Sequence, residues 1–162
     1  MKKINIITLG CSKNTVDSEH LAAQLCEYGY KIVFDSDRTD ADVVVINTCG
    51  FIGDAKQESI DTILRAAQLK EAGKIEELFV VGCLSQRYAD ELRPELPEVD
   101  DFFGVNDWAG IVERLGAKYR TENETKRELS TPSHYAYLKI SEGCNWMCGY
   151  CAIPLIRGRH KS

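Results

Sequence analysis

No apolar run in this chain approaches the roughly 18 residues that a membrane-spanning helix needs, so no span is expected. A secretory leader is missing too. Met1-Lys2-Lys3-Ile4-Asn5 turns polar by Thr8, too soon for an apolar signal core. Positive charge is not in excess. With 25 acidic and 20 basic side chains the formal charge is −5, which argues against bulk nucleic-acid binding by this stretch, because such binding favours a basic patch. Phosphate loops are lacking: Gly50-Phe51-Ile52-Gly53 and Gly143 match neither the dinucleotide nor the Walker spacing. The dense, even-numbered cysteine framework of a small secreted scaffold is lacking as well, since the seven cysteines are odd in number and widely spread. Together these absences point to a reduced, cytoplasmic protein whose cysteines are kept for metal. What is present is 162 residues, 44% of them hydrophobic, enough for one core-forming domain and a little more.

Four stretches read as strands: Ile4 to Leu9, Tyr30 to Phe34, Asp42 to Asn47 and Leu78 to Val81. The third is almost continuously apolar, as in parallel sheets covered on both faces by helices. A weaker strand spans Val99 to Gly104. Helical periodicity is expected from Val16, after the capping set Ser12-Lys13-Asn14-Thr15, with Leu21, Ala22, Leu25 and Cys26 on one face. A charged loop covers 35–40. A long helix from Asp54 to Glu71 turns Ile60, Ile63, Leu64, Ala67 and Leu69 inward. A short one from Gln86 to Leu92 should stop before Pro94, and a last one runs from Trp108 to Leu115. This rhythm predicts an α/β fold with a parallel, doubly wound (Rossmann-like or flavodoxin-like) sheet over 1–116. Residues 117–133 are polar and read as a linker or peripheral excursion. Residues 134–162 open with Tyr135 to Ile140, which alternates like a strand. A strand and a loop cannot bury a core of their own, so 134–162 is expected to be poorly packed or to lean on the first unit.

Chemistry concentrates in two cysteine triplets. Cys144-x3-Cys148-x2-Cys151 lies in one glycine-flanked loop. Three thiolates can hold three corners of a four-iron cluster and leave one iron open. The alternative is a zinc site completed by His134 or His160. Cys11, Cys49 and Cys83 are dispersed, but each follows a predicted strand, precedes a helix and neighbours a glycine (Gly10, Gly50, Gly82). Strand C-termini share one edge of a parallel sheet, where open α/β folds bind ligands, so separations of 38 and 34 residues do not imply distance in space. Nearby helix N-termini should favour the thiolate. The competing reading is three buried core cysteines, which is the reading for Cys26 in mid-helix. Arg157, Arg159, His160 and Lys161 form a basic run, most simply a solvated one. Asp17 is placed to cap the first helix, His20 to sit at its surface, and Tyr28 and Tyr30 to pack at the helix–strand corner.

Cys144-x3-Cys148-x2-Cys151, with Tyr150 before the last cysteine, resembles the cluster motif of radical S-adenosylmethionine enzymes. The longer string Glu142-Gly143-Cys144-Asn145 to Cys148-Gly149-Tyr150-Cys151-Ala152-Ile153-Pro154-Leu155-Ile156-Arg157-Gly158 resembles their methylthiotransferase branch. So do Gly10-Cys11-Ser12-Lys13-Asn14 with Asp17, Asn47-Thr48-Cys49, and Gly82-Cys83. The resemblance implies that 134–162 is the truncated beginning of a (β/α) barrel, which needs roughly 200 residues or more, and it implies two [4Fe-4S] clusters. An auxiliary one sits on Cys11, Cys49 and Cys83, and one that binds S-adenosylmethionine sits on Cys144, Cys148 and Cys151. Asn14, Asp17, Asn47, Thr48, Tyr150 and Arg157 fall within the pattern as supporting residues. Trp146-Met147 departs from it, standing where the family usually has a basic residue.

Lys13-Asn14 and the run Tyr137 to Cys144 resemble the branch that modifies an aspartate of ribosomal protein S12, rather than the branch that modifies adenosine in tRNA. For that branch the implied chemistry uses one S-adenosylmethionine as methyl donor to cluster-bound sulfur. A second, cleaved reductively, is the source of a radical that takes hydrogen from the aspartate β-carbon. An electron donor such as flavodoxin or ferredoxin is implied. A zinc-stabilised binding module is the non-catalytic alternative. These 162 residues alone are expected to be catalytically incomplete.

Overall fold

The computed structural model describes residues 1–38 and 40–162; Thr39, in the charged loop expected over 35–40, lies outside the described residues. In chain order the elements are β1 (Lys3–Thr8), α1 (Ser12–Cys26), β2 (Lys31–Phe34), β3 (Val43–Thr48), α2 (Gly53–Glu71), β4 (Glu77–Gly82), α3 (Cys83–Glu95), β5 (Asp101–Phe102), α4 (Trp108–Arg114), a 3-10 turn (Thr121–Asn123) and α5 (Ile153–Arg157). The strands form one sheet in the order β2-β1-β3-β4-β5, and every pairing is parallel. This is the doubly wound arrangement that the strand–helix rhythm predicts.

The sheet holds because its strands are apolar on both faces. β3 is buried along its whole length. Its Val43 and Val45 pack with Ile4, Ile6, Leu21, Leu25, Phe79, Ile111 and Val112, on the side of α1 and α4. Its Val44 and Ile46 pack with Ile63, Ala66, Leu78, Val80 and Leu84, on the side of α2 and α3. Alternation with a period of two thus feeds two separate cores from one strand. Tyr28 and Tyr30 pack against the first core as expected, and Trp108 joins them.

Several local readings need correction. α1 begins at Ser12 rather than Val16, with Cys11 in the N-cap position and no side-chain cap. α3 begins at Cys83 and carries Pro94 in its last turn. The turn closes around the ring, with Leu96 N–H donating to Leu92 O at 2.9 Å, and both Pro94 and Asp90 face solvent, so the carbonyl left without its helical donor by proline is not buried. Leu64 is 44% exposed; the inward positions of α2 are Ser59, Thr62, Ile63, Ala66 and Ala67. Tyr135 to Ile140 is not a strand. It finds no neighbouring edge to pair with, and its Leu138 and Ile140 stand 82% and 76% exposed. Among the described residues no helix is long and apolar enough to cross a membrane.

The polar stretch after α4 straps onto α1. Gln24 exchanges two hydrogen bonds with the Arg120 backbone, at 2.8 and 3.1 Å. His20, half-buried, bonds through Nδ1 to Lys126 O at 2.8 Å. Glu19 is the anchor. It is fully buried and accepts from Arg127 Nε at 3.1 Å, Ser130 N–H at 2.8 Å and Ser130 Oγ at 2.9 Å. Burial pushes the Glu19 carboxyl up, but the Arg127 guanidinium and the Ser130 donors outweigh it and hold it below its ordinary value. A carboxyl lowered on folding stabilises the fold above its unfolded value, about 4.3, and that contribution fades as pH falls below it. The urea midpoint is therefore expected to drop from pH 6 to pH 3 by less in Glu19→Gln than in the parent. An equal drop in both proteins would remove Glu19 from the acid response.

Candidate functional site

β1, β3 and β4 lie side by side, so their C-terminal ends share one edge. Cys11, Cys49 and Cys83 leave those ends and line a single pocket of about 960 Å³, together with Lys13, Phe51, Ile156 and Arg157. Cys11 is exposed, Cys49 half-buried and Cys83 buried. Glycines bring the three loops this close. A Cβ built on Gly10 would stand 2.5 Å from Cys49 Cβ and 2.8 Å from its Sγ, and one on Gly50 would stand 2.7 Å from Leu84 Cα. Only a residue without a side chain permits such an approach.

The loops are tied by buried amides and hydroxyls. Asn14 Nδ2 donates to Leu9 O at 2.8 Å and to Thr48 O at 3.1 Å. Asn47 Nδ2 donates to Asn14 O and Ser18 Oγ, both at 3.0 Å. Thr48 Oγ1 donates to Val81 O at 2.7 Å. Asn14, Asn47 and Thr48 therefore fix the backbone from which the cysteines project. Ser59 does the same and was missed in the sequence: its Oγ accepts from Cys49 N–H at 3.1 Å and donates to Cys49 O at 2.9 Å. Its one sequence signal is a serine on the face of α2 that also carries Ile63, Ala66 and Ala67.

Cys83 departs from the thiolate expectation. Burial pushes its thiol up, the charge of Arg157 pulls it down, and the neighbouring Cys49 and Cys11 push it up again, for a net rise. Desolvation at the first turn of α3 is the largest of these effects.

Arg157 and Asp17 also need correction. Arg157 is not solvated but 7% exposed, and Asp17 is no cap but a buried residue within α1, 4% exposed. Arg157 Nη1 donates to Asp17 Oδ2 at 2.8 Å and to Glu142 Oε2 at 2.9 Å, while Nη2 bonds to Asn14 Oδ1. Lys139 bonds to the other Asp17 oxygen and reaches Glu142 Oε2 at 3.0 Å. Lys13 approaches Glu142 Oε1 at 3.5 Å. Burial pushes Glu142 up, but the Lys139 hydrogen bond and the Arg157 and Lys139 charges hold it down at about 2. Burial works against the charge of Lys139 as well, yet Asp17 and Glu142 leave it raised. This cage docks 134–162 onto α1, the leaning expected from the sequence.

The Cys144 loop lies outside the pocket. Cys144 and Cys151 are half-buried and Cys148 is exposed. The loop is braced by Cys144 N–H to Gly158 O at 3.0 Å, Cys151 N–H to Cys148 O at 3.1 Å and a bridge between Glu142 and Lys161. Tyr150 is 94% exposed. His134 packs edge-on to Tyr135, and the His160 backbone binds Asn145 Oδ1 at 3.1 Å. Among the described residues, no three His, Cys, Asp or Glu side chains are grouped to hold a single metal ion. The pocket's thiol donors are Cys11, Cys49 and Cys83, and its room exceeds that of a single ion. Cys26 is half-buried at the end of α1, its thiol raised by burial and by Glu128.

The model of the family described as "Uncharacterized protein family UPF0004" matches residues 3–104. The chain belongs to the UPF0004 family. The UPF0004 match takes in the whole sheet and Cys11, Cys49 and Cys83, and ends before Cys144. Among curated relatives, the ribosomal protein uS12 methylthiotransferase RimO of Bacteroides fragilis is 59% identical over 161 residues, covering 99% of this chain and 37% of the relative. Its namesake from Phocaeicola vulgatus is 58% identical over 159 residues, 98% of this chain and 37% of the relative. The one from Cytophaga hutchinsonii is 55% identical over 160 residues, 99% and 37%. The chain thus spans little more than a third of the length of the relatives it matches.

Proposed function

We propose that this chain is the cofactor-holding part of a methylthiotransferase that modifies the β-carbon of an aspartate in ribosomal protein uS12. The observation that carries the reading is the meeting of Cys11, Cys49 and Cys83 in one pocket from three separate strand ends. The likeness to the uS12 enzymes supports the substrate. Residues 1–116 are the unit that holds an auxiliary [4Fe-4S] cluster on those three thiols, 117–133 a linker, and 134–162 the beginning of a radical S-adenosylmethionine unit with a second cluster on Cys144, Cys148 and Cys151.

When bound, such clusters supply one-electron chemistry and carriage of sulfur. The chain's own residues do the rest. Asn14, Asn47, Thr48 and Ser59 fix the cysteine loops. Phe51 and Ile156 give the pocket apolar walls, which limit water. Asp17, Glu142 and Arg157 keep the two cysteine-bearing segments in one place. S-adenosylmethionine, uS12 and an electron donor such as flavodoxin or ferredoxin are the partners, in the cytoplasm.

Anaerobic reconstitution, with iron and sulfide counted per chain, tests the centre. The parent is expected to hold about four irons that a Cys11→Ala/Cys49→Ala/Cys83→Ala chain loses. A variant that keeps all its iron would return the three cysteines to the core. Substrate is tested by mass spectrometry, with the enzyme of full family length given uS12 or tRNA beside S-adenosylmethionine. A modified tRNA adenosine in place of a modified uS12 aspartate would move the chain to the other branch.

A further inference from the structure

Among the described residues Arg157 is the one guanidinium that lines the three-cysteine pocket, yet it comes from α5, in the segment that carries the other triplet. Its neighbour Ile156 packs on Cys83 beside Val105, which brings the guanidinium to the buried thiol, and its charge bears on that thiol. The side chain has no freedom to leave. Asp17 and Glu142 hold one terminal nitrogen and Asn14 the other. The cage of Lys13, Lys139, Arg157, Asp17 and Glu142 has three cations against two anions, one positive charge in excess. The pocket wall also includes Asp54 and Glu58, but both are exposed and screened by water. A cation fixed at low dielectric acts on a neighbouring centre far more strongly than an exposed one.

We propose that Arg157 sets the reduction potential of the centre held by Cys11, Cys49 and Cys83, with Asp17 and Glu142 as the residues that position it. The proposal rests on the reading of that pocket as an iron–sulfur site. Reduction adds negative charge to a cluster, and charge and hydrogen bonding at its sulfurs tune its potential. A fixed cation beside Cys83 makes the added electron more favourable and raises the potential. Because that cation belongs to α5, the electron affinity of the pocket depends on the docking of the segment that bears Cys144, Cys148 and Cys151. Arg157 is thus a positioning and tuning residue, not a ligand.

The test uses the chain with Cys144→Ala, Cys148→Ala and Cys151→Ala, so that one triplet remains, reconstituted with iron and sulfide. It is titrated with a chemical reductant and followed by absorbance and electron paramagnetic resonance. Arg157→Met is expected to lower the midpoint potential, Arg157→Lys to stay near the parent, and Glu142→Gln to raise it, all with the parent's iron count. Opposite shifts from Arg157→Met and Glu142→Gln separate charge from structural damage, which would move both the same way. Unshifted potentials at unchanged iron content, or shifts of one sign, overturn the proposal. If Arg157→Met fails to load, Glu142→Gln and Arg157→Lys decide it by the same criteria. A parent that takes no iron on Cys11, Cys49 and Cys83 overturns the iron–sulfur reading as well, whereas a loaded parent with unmoved variants overturns the role of Arg157 alone.

Discussion

Gly82→Ala is expected to destabilise the chain by about 2–6 kcal/mol, the sum of backbone strain and overpacking of about 1–3 kcal/mol each. Gly82 joins β4 to α3 at φ 104° and ψ −158°, a region open essentially to glycine alone. A Cβ there would also stand 2.6 Å from Asn47 Oδ1, 2.6 Å from Thr48 O and 2.8 Å from Thr48 N. Two of those atoms are backbone of the adjacent strand, so the collision cannot be relieved by turning a side chain. Urea unfolding measures the loss. Gly53→Ala is the control: its Cβ would meet nothing within 4 Å, so the midpoint should hardly move. A Gly82→Ala protein as stable as the parent would mean that the β4–α3 corner yields freely.

Asp17→Leu is expected to cost about 3–5 kcal/mol, the range for removing one partner of a buried ion pair. The substitution takes away one of the two carboxylates that hold both Arg157, which is 7% exposed, and Lys139. The loss should fall first on 134–162, which the cage docks. Hydrogen exchange at the Glu142 and Cys144 amides, both bonded within that segment, should quicken in the variant before the sheet amides do. Asp17→Leu combined with Arg157→Leu should recover part of the loss, because a buried pair replaced whole by apolar groups is often nearly neutral. Unchanged exchange in 134–162 would show that contacts other than the cage hold it.

The legible parts of this molecule are those set by short-range rules. The strands are plain because Val43 to Ile46 and Leu78 to Val81 are apolar and bounded by polar, charged or glycine residues. The meeting of Cys11, Cys49 and Cys83 was legible because a parallel sheet gathers strand ends whatever their separation in sequence. The misreadings lie where tertiary neighbours decide. Asp17 and Arg157 have the look of a capping acid and a solvated base, and nothing local tells that they will face each other 140 residues apart. Glu19 gave no signal for the same reason: its partners Arg127 and Ser130 sit in a stretch that reads as linker. Tyr135 to Ile140 alternates as a strand should, but alternation describes a surface for pairing and does not supply the pair.

The two thiol triplets differ in how much chain must be gathered to make them. Cys144, Cys148 and Cys151 fall within the eight residues 144–151, so even an unstructured chain keeps them near one another. Cys11, Cys49 and Cys83 meet only once β1, β3 and β4 stand side by side. Strand order therefore imposes an order in time. On the proposed reading the local loop would be able to capture iron on a nascent chain, while the dispersed trio would be competent only on a finished sheet. A centre seated there would be a late clasp across three strands, acquired by folded molecules alone and released as soon as those strands part.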